Sequence, residues 1–188
     1  MSNKTSSTPS LTMSLEFKYL NVAIVRSSFN ESITNRLLNG AKREFDIAKD
    51  YSMKHLEGAQ SSFYVCDVFD VPGVFEVPYM VNQILNHGIA KYNGILTIGA
   101  VIKGETAHFE YISGATINAL QILNISSPVP VSLGILTTQN EEQANERSKD
   151  DRSNKGAQAM LALLSIVASR SSHPGFNPQP PVRGSDDG

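Results

Sequence analysis

The sequence lacks paired cysteines, long apolar runs and an excess of either charge, and each absence excludes a class of protein. The single Cys66 cannot form a disulfide within the chain, which favours a reducing, cytoplasmic setting. No apolar stretch approaches the ~18 residues that cross a bilayer, so we expect no membrane partner. The Ser/Thr-rich start faintly suggests a transit peptide, but it contains no Arg and only Lys4.

Charge and histidine spacing exclude two further classes. Sixteen Lys and Arg against eighteen Asp and Glu give a net charge of -2, so the chain has no basic field for a nucleic-acid partner. The chain has no cluster of Cys and His at the spacing of metal ligands, so we predict no metal site. The 188 residues, 40% hydrophobic, suit one domain, which we place at residues 19–170. Residues 1–18 are expected to be a flexible segment and residues 171–188 a disordered tail.

Four short runs rich in Val, Ile and Leu, residues 20–25, 63–68, 94–98 and 131–136, show little polar alternation. That pattern predicts strands buried on both faces, as in a parallel sheet. Helical patterns lie between and after them, at residues 32–49, 76–86, 108–123, 141–149 and 156–168. Strict alternation predicts an α/β, doubly wound three-layer sandwich with a central four-stranded parallel sheet. Residues 50–62 are predicted as a surface loop or an extra turn of helix.

In a parallel sheet the loops after the strands share one edge, and ligands bind there. These loops are residues 27–30, 70–78, 99–108 and 137–143. Phe29 can stack on a flat heterocycle or, equally well, cap the core. The Pro72-Gly73 turn delivers Phe75 and Glu76 to the second helix, although a simple turn with a favourable acid explains it slightly better.

The most polar of these loops is GAVIKGETAH, residues 99–108. Glu105 and Thr106 are predicted to begin the third helix, whose N-terminal amides form an anion site. His108 can exchange protons near neutral pH if it faces the cleft, whereas a surface or capping histidine is the slightly stronger alternative. Arg147 ends a charged helix, where most arginines are only solvated. Asn154 is a candidate cap for the last helix.

Four motifs together resemble one family: VPGVFEVP, GAVIKGETAHFEYI, VPVSLGILTTQNEEQANER and NKGAQAMLAL. In this order and spacing, from about residue 20 to residue 168, the chain is similar to 6,7-dimethyl-8-ribityllumazine synthases. The resemblance implies a flavodoxin-like fold and a transferase of riboflavin biosynthesis that needs no cofactor. Such an enzyme condenses 5-amino-6-(D-ribitylamino)uracil with 3,4-dihydroxy-2-butanone 4-phosphate and releases phosphate and water.

The resemblance also implies a role for each matching position. Phe29 would stack on the pyrimidine, His108 would move protons, and Arg147 would bind phosphate across a subunit interface. The ring and ribityl chain would be held by Val74, Phe75, Glu76, Ala100, Val101 and Ile102, the phosphate by the N–H groups of Glu105 and Thr106, and the interface would add Leu133 and Lys155. Activity would then require a homo-oligomer, either a pentamer or a 60-subunit shell.

Two departures from the family pattern keep alternatives open. Leu133 stands where many members have Phe, and Asp150 with Asp151 makes the connector before the last helix acidic near the expected phosphate region. One alternative is therefore a non-catalytic flavin- or lumazine-binding or shell-forming member of the family. The other is a riboflavin synthase on the same fold.

Overall fold

The computed structural model describes residues 15–87 and 91–173 of the chain. Most of the predicted flexible segment, residues 1–18, and of the predicted tail, residues 171–188, lies outside the described residues, so the predicted domain bounds stay a prediction. Of the segment before the first strand, Phe17 packs into the core, 3% exposed. Its N–H donates a hydrogen bond to the Ser52 hydroxyl, and its carbonyl oxygen accepts one from the Tyr64 hydroxyl.

Four parallel strands form the sheet: β1 (Leu20–Ser27), β2 (Tyr64–Val71), β3 (Gly94–Ile102) and β4 (Val131–Thr138). Their order is β2-β1-β3-β4, and all four predicted strands are confirmed. Each strand runs further at its carboxyl end than predicted, and β3 stays paired with β4 as far as Ile102 opposite Thr138. Residues 99–102 are therefore strand rather than loop, because the apolar run continues through them. Phe63 was wrongly placed in a strand, since it ends the short 3-10 turn Ser61–Phe63.

In the described part of the chain, five helices cover the two faces of the sheet: α1 (Glu31–His55), α2 (Val77–His87), α3 (His108–Ser126), α4 (Glu141–Arg147) and α5 (Lys155–Ser171). One core packs α1 and α5 on alternate strand residues such as Ile24 and Leu96, and the other packs α2 and α3 on the intervening residues such as Val25 and Ile95. The predicted doubly wound sandwich is thus confirmed. Residues 50–55 extend α1, so the helical alternative holds for this part of the segment 50–62. Within the described ranges, no helix is both long and apolar enough to cross a bilayer.

The first face depends on a close approach of α5 to α1 at Gly156. A Cβ atom at this position would lie 2.0 Å from the carbonyl oxygen of Leu37. Gly156→Ala should therefore lower the free energy of unfolding by about 1–3 kcal/mol, the usual cost of overpacking. Urea denaturation measures the loss, and Gly114→Ala is the control because a Cβ there meets nothing within 4 Å. Equal stability of the two variants would contradict this packing.

Candidate active site

A cleft of about 330 Å³ opens at the carboxyl ends of β1 and β3, and we call it the edge cleft. These two strands are neighbours in the sheet although β2 lies between them in sequence, which is the switch point where open α/β sheets bind ligands. Most of the predicted binding residues meet here. The lining consists of Phe29, Gly73, Val74, Phe75, Ala100, Val101, Ile102, Gly104, Thr106, His108, Phe109 and Ile112.

One wall of the edge cleft is the loop that carries Phe29. The N–H groups of Ser28 and Phe29 donate to the carbonyls of Val71 and Pro72, at 2.8 and 3.1 Å. Asn30, in the left-handed region at φ 57°, donates from Nδ2 to the carbonyl oxygen of Ala100 at 2.9 Å. The Phe29 side chain is 67% exposed, so it does not cap the core. The loop is anchored on both sides while its aromatic ring stays free to stack.

A second part of the lining follows β2. Val74 is buried, and its Cγ2 methyl packs so closely on Gly99 that a Cβ atom there would lie 2.7 Å away. Phe75 is 61% exposed and faces the cleft beside it. Glu76 does not line the cleft; it belongs to the 3-10 turn Val74–Glu76, and its carboxylate lies against Gly73. The two exposed phenyl rings therefore flank an apolar slot.

The polar end of the cleft is the segment 103–108. The helical pattern predicted from residue 108 is confirmed, because the first helical residue is His108 and Ala107 is its cap. The separate prediction that Glu105 and Thr106 begin this helix is therefore wrong. The Thr106 hydroxyl accepts a 3.4 Å hydrogen bond from the His108 N–H and forms a local turn that delays the helix. Among the described residues, none accepts from the N–H groups of Glu105 and Thr106. These donors and the exposed His108 imidazole can meet an anionic, proton-exchanging ligand.

An ion pair spans the base of this segment. Lys103 Nζ lies 2.8 Å from Glu110 Oε1 and 6.0 Å from the centre of the Phe109 ring, while the Lys103 N–H donates to Thr138. The hydrogen bond from Lys103 holds the pKa of the Glu110 carboxyl below its ordinary value. Since both side chains are solvent-exposed, the ion pair adds little to the stability of the fold and serves mainly to orient the segment 103–108.

Three predicted site residues lie elsewhere, in a second depression of about 540 Å³ that we call the β4 groove. Leu133, Arg147 and Lys155 line it together with α5 residues such as Gln158 and Ala162. β4 is at one edge of the sheet, so the groove faces outward from the subunit. Within the described residues, the Arg147 guanidinium has only a 3.4 Å bond to its own helix, at the Gln143 carbonyl. Its other donors are available to a ligand.

The two carboxylates of the acidic connector between α4 and α5 are both paired with other residues of the subunit. Asp150 forms an ion pair with Arg43 of α1. Asp151 Oδ1 accepts from the N–H and the hydroxyl of Ser153 at 2.7 and 2.6 Å, and the hydroxyl contact is the main reason that the pKa of Asp151 is lowered. Neither carboxylate lines the β4 groove. Each of the two acids is therefore engaged away from Arg147.

Phe109 and Ile112 also line the edge cleft. They were not predicted as site residues, because both belong to the apolar stripe of α3 that was expected to pack on the sheet. Both residues lie near the start of α3, next to the carboxyl ends of the strands, and this position could have indicated that they contact a ligand. Gln158 and Ala162 of the β4 groove carried no signal, because their role depends on how α5 crosses β4.

Comparison with known proteins identifies the family of the chain. A family model described as 6,7-dimethyl-8-ribityllumazine synthase matches residues 19–171. 6,7-Dimethyl-8-ribityllumazine synthase 1 of Caulobacter vibrioides is 39% identical over 146 residues, 78% of this chain and 87% of the relative. The 6,7-dimethyl-8-ribityllumazine synthases of Limosilactobacillus reuteri and Helicobacter hepaticus are each 37% identical, over 78% of this chain and 87% and 85% of their own lengths.

Proposed function

The chain belongs to the 6,7-dimethyl-8-ribityllumazine synthase family, and we propose that the edge cleft of one subunit and the β4 groove of a neighbour together form its active site. The chain is a transferase that produces 6,7-dimethyl-8-ribityllumazine. No comparison favours a non-catalytic protein or a riboflavin synthase. The observation that carries the two-subunit site is the separation of the expected binding residues into two depressions, each of which holds only part of the set.

In the edge cleft, the apolar slot suits the pyrimidine ring of 5-amino-6-(D-ribitylamino)uracil. Phe29 stacks on the ring, and Phe75 and Val74 close the opposite side. The strand end of β3 offers backbone and side-chain contacts at Ala100, Val101 and Ile102 to the ring and to the ribityl chain. Glu76 contributes through its backbone near Gly73 or through a carboxylate that turns toward the ribityl hydroxyls.

The phosphate of 3,4-dihydroxy-2-butanone 4-phosphate binds at the polar end of the cleft. The N–H groups of Glu105 and Thr106 have no acceptor among the described residues, and the start of α3 adds a favourable dipole. Arg147 of the neighbour completes the site, because a guanidinium matches phosphate oxygens with two parallel hydrogen bonds. Lys155 adds a second positive charge at the same side.

His108 is the catalytic residue in this proposal. The amine of the uracil attacks the ketone and water leaves to give an imine. A proton then leaves carbon as phosphate departs, and after tautomerisation the ribitylamino nitrogen attacks the remaining carbonyl and closes the ring with loss of a second water. Each step moves a proton between nitrogen, oxygen or carbon. An imidazole at the first residue of α3, beside the phosphate donors, is placed to accept and return these protons.

An oligomer is needed to bring the two depressions together. α3 presents three large apolar residues to solvent, Tyr111 at 75%, Ile122 at 63% and Ile125 at 73% exposure. Large exposed apolar side chains on one helix support a protein interface at this face. Contact between an edge cleft and a different surface, the β4 groove, is heterologous, and such contacts form a ring when the rotation between neighbours closes. We propose a pentamer or a 60-subunit shell, in the cytoplasm, where the free Cys66 stays reduced.

The purified protein tests this function directly. Mixed with both substrates, it should form the fluorescent lumazine at a steady rate, and light scattering on the same sample should give the mass of an oligomer. Binding of the uracil without turnover would identify a non-catalytic protein. Conversion of lumazine to riboflavin would identify a riboflavin synthase.

Leu133 gives the neighbour's side of the ring site an aliphatic wall, 47% exposed on β4. Leu133→Phe should lower the Michaelis constant for the uracil substrate by about two- to tenfold, because an aromatic pair adds about 0.5–1.5 kcal/mol beyond burial. Leu133→Met is the control, since it keeps the size of the side chain without an aromatic face. If both variants bind the uracil equally well, Leu133 does not touch the ring.

A further inference from the structure

α4 carries Arg147 but has little apolar packing of its own, because Ala144 is its buried residue. The helix is held instead by Arg36 of α1. Arg36 donates from Nη2 to Asn145 Oδ1 at 2.5 Å and from Nε to the Ser148 hydroxyl at 3.1 Å. Ser148 is fully buried. These two hydrogen bonds hold the chain on both sides of Arg147, at two residues before it and at one residue after it.

Asn154 completes the same network from α5. Its side chain is fully buried, and its Oδ1 accepts from the Ala157 N–H at 3.0 Å as the cap of α5. Its Nδ2 donates toward the carbonyl oxygens of Arg36, Ser148 and Lys149 at 3.1, 3.1 and 2.9 Å. One amide therefore joins α1, the end of α4 and the connector to the start of α5.

The Asn154 amide fits against α1 because residue 40 is a glycine and has no side chain. A Cβ atom at position 40 of α1 would lie 2.4 Å from Asn154 Oδ1. The connector residues 149–153 are exposed, so the network is what fixes the path of the chain after Arg147. Among the described residues, the Arg147 guanidinium has only its 3.4 Å hydrogen bond to the Gln143 carbonyl, so its position depends on the backbone that carries it.

We propose that Arg36 and Asn154 are positioning residues for phosphate binding, because they hold the turn from which Arg147 reaches into the neighbour's edge cleft. This rests on the proposed role of Arg147. A guanidinium binds phosphate well only at the right distance and angle, and displacement by about 1 Å is enough to lose much of the gain. The network therefore sets the affinity for the phosphorylated substrate without touching it.

Arg36→Ala tests the proposal. The Michaelis constant for 3,4-dihydroxy-2-butanone 4-phosphate should rise about five- to tenfold, because two charge-assisted contacts to the turn are lost. The constant for the uracil substrate should change less than about twofold, a split that general destabilisation would not produce. The matched control is Arg43→Ala, on the same helix, which breaks one exposed ion pair to the connector and should change either constant less than about twofold.

A double variant separates positioning from direct binding. If Arg36 acts through Arg147, Arg36→Ala should add little to Arg147→Ala, and the two effects should be non-additive. Amide hydrogen exchange over residues 141–153 should also become faster in Arg36→Ala. Asn154→Ser, which keeps an oxygen to cap α5 but has no amide donor, should reproduce both changes, and the Arg36 variant decides the matter if Asn154→Ser fails to fold.

Each contrary outcome has its own meaning. Additive effects of the Arg36 and Arg147 changes, equal rises in both Michaelis constants, or unchanged exchange over residues 141–153 would overturn the positioning role while the phosphate role of Arg147 stands. If Arg147→Ala alone leaves the phosphorylated substrate unaffected, the proposed role of Arg147 fails, and the positioning role is overturned with it. Absence of lumazine formation by the unchanged protein would instead refute the enzymatic function.

Discussion

Replacing His108 by alanine should lower kcat by about 10²–10⁴-fold, the range expected for loss of a positioned acid-base group. The dissociation constant for the uracil substrate should change much less, because the apolar slot between Phe29 and Phe75 is untouched. Single-turnover fluorescence of the lumazine product measures the chemical step, and equilibrium titration measures the binding. A loss confined to kcat would mean that His108 acts in the transition state.

The size of this effect follows from where α3 begins. His108 is the first residue of the helix, exposed at the mouth of the edge cleft and next to the hydroxyl of Thr106. The matched control is His87→Ala, because His87 is also exposed but ends α2, outside the cleft lining. It should keep the full rate. If the rate is unchanged in His108→Ala, the imidazole takes no part in the reaction.

Replacing Arg147 by alanine should raise the apparent Michaelis constant for the phosphorylated substrate. Loss of a charge-assisted hydrogen bond costs about 1.5–3 kcal/mol, which corresponds to about 10- to 150-fold in kcat/KM. The uracil constant should stay nearly the same, since Arg147 binds the phosphate and does not line the pyrimidine slot. Steady-state kinetics with each substrate varied in turn measures the two constants.

Arg152→Ala is the control for charge alone, because Arg152 lies in the exposed connector and does not line the β4 groove. It removes the same charge from the same region without removing the phosphate contact. Equal effects of the two changes would mean that the groove attracts phosphate only through its general field. No effect of either would remove the groove from the phosphate site.

The strands and their common edge were predictable because they depend on local pattern. Apolar runs without alternation are typical of strands buried on both faces, and parallel strands bring their following loops together. The bounds were less accurate where tertiary contacts decide them. β3 continues past Ile98 because β4 pairs with it as far as Ile102. α3 begins at His108, where the helical pattern begins, and not at Glu105, because Thr106 forms a local turn.

The candidate site was predictable only in part. Phe29, Val74 and Ala100 meet because they follow neighbouring strands, which periodicity can indicate. The separation of Arg147 from them depends on β4 being an edge strand, which the residues alone do not determine. Asn154 was predicted as a helix cap, and that is confirmed, but its donor bonds to three carbonyls and the role of Arg36 arise only from the packing of α1 on α5.

The central claim is that one active site takes His108 from one subunit and Arg147 from its neighbour. The direct measurement is the activity of mixed oligomers assembled from His108→Ala and Arg147→Ala subunits. With random mixing, about one interface in four pairs an intact His108 with an intact Arg147, so about a quarter of the normal activity should return although both parent oligomers are weak. Activity no greater than the average of the two parents would contradict a site shared between subunits.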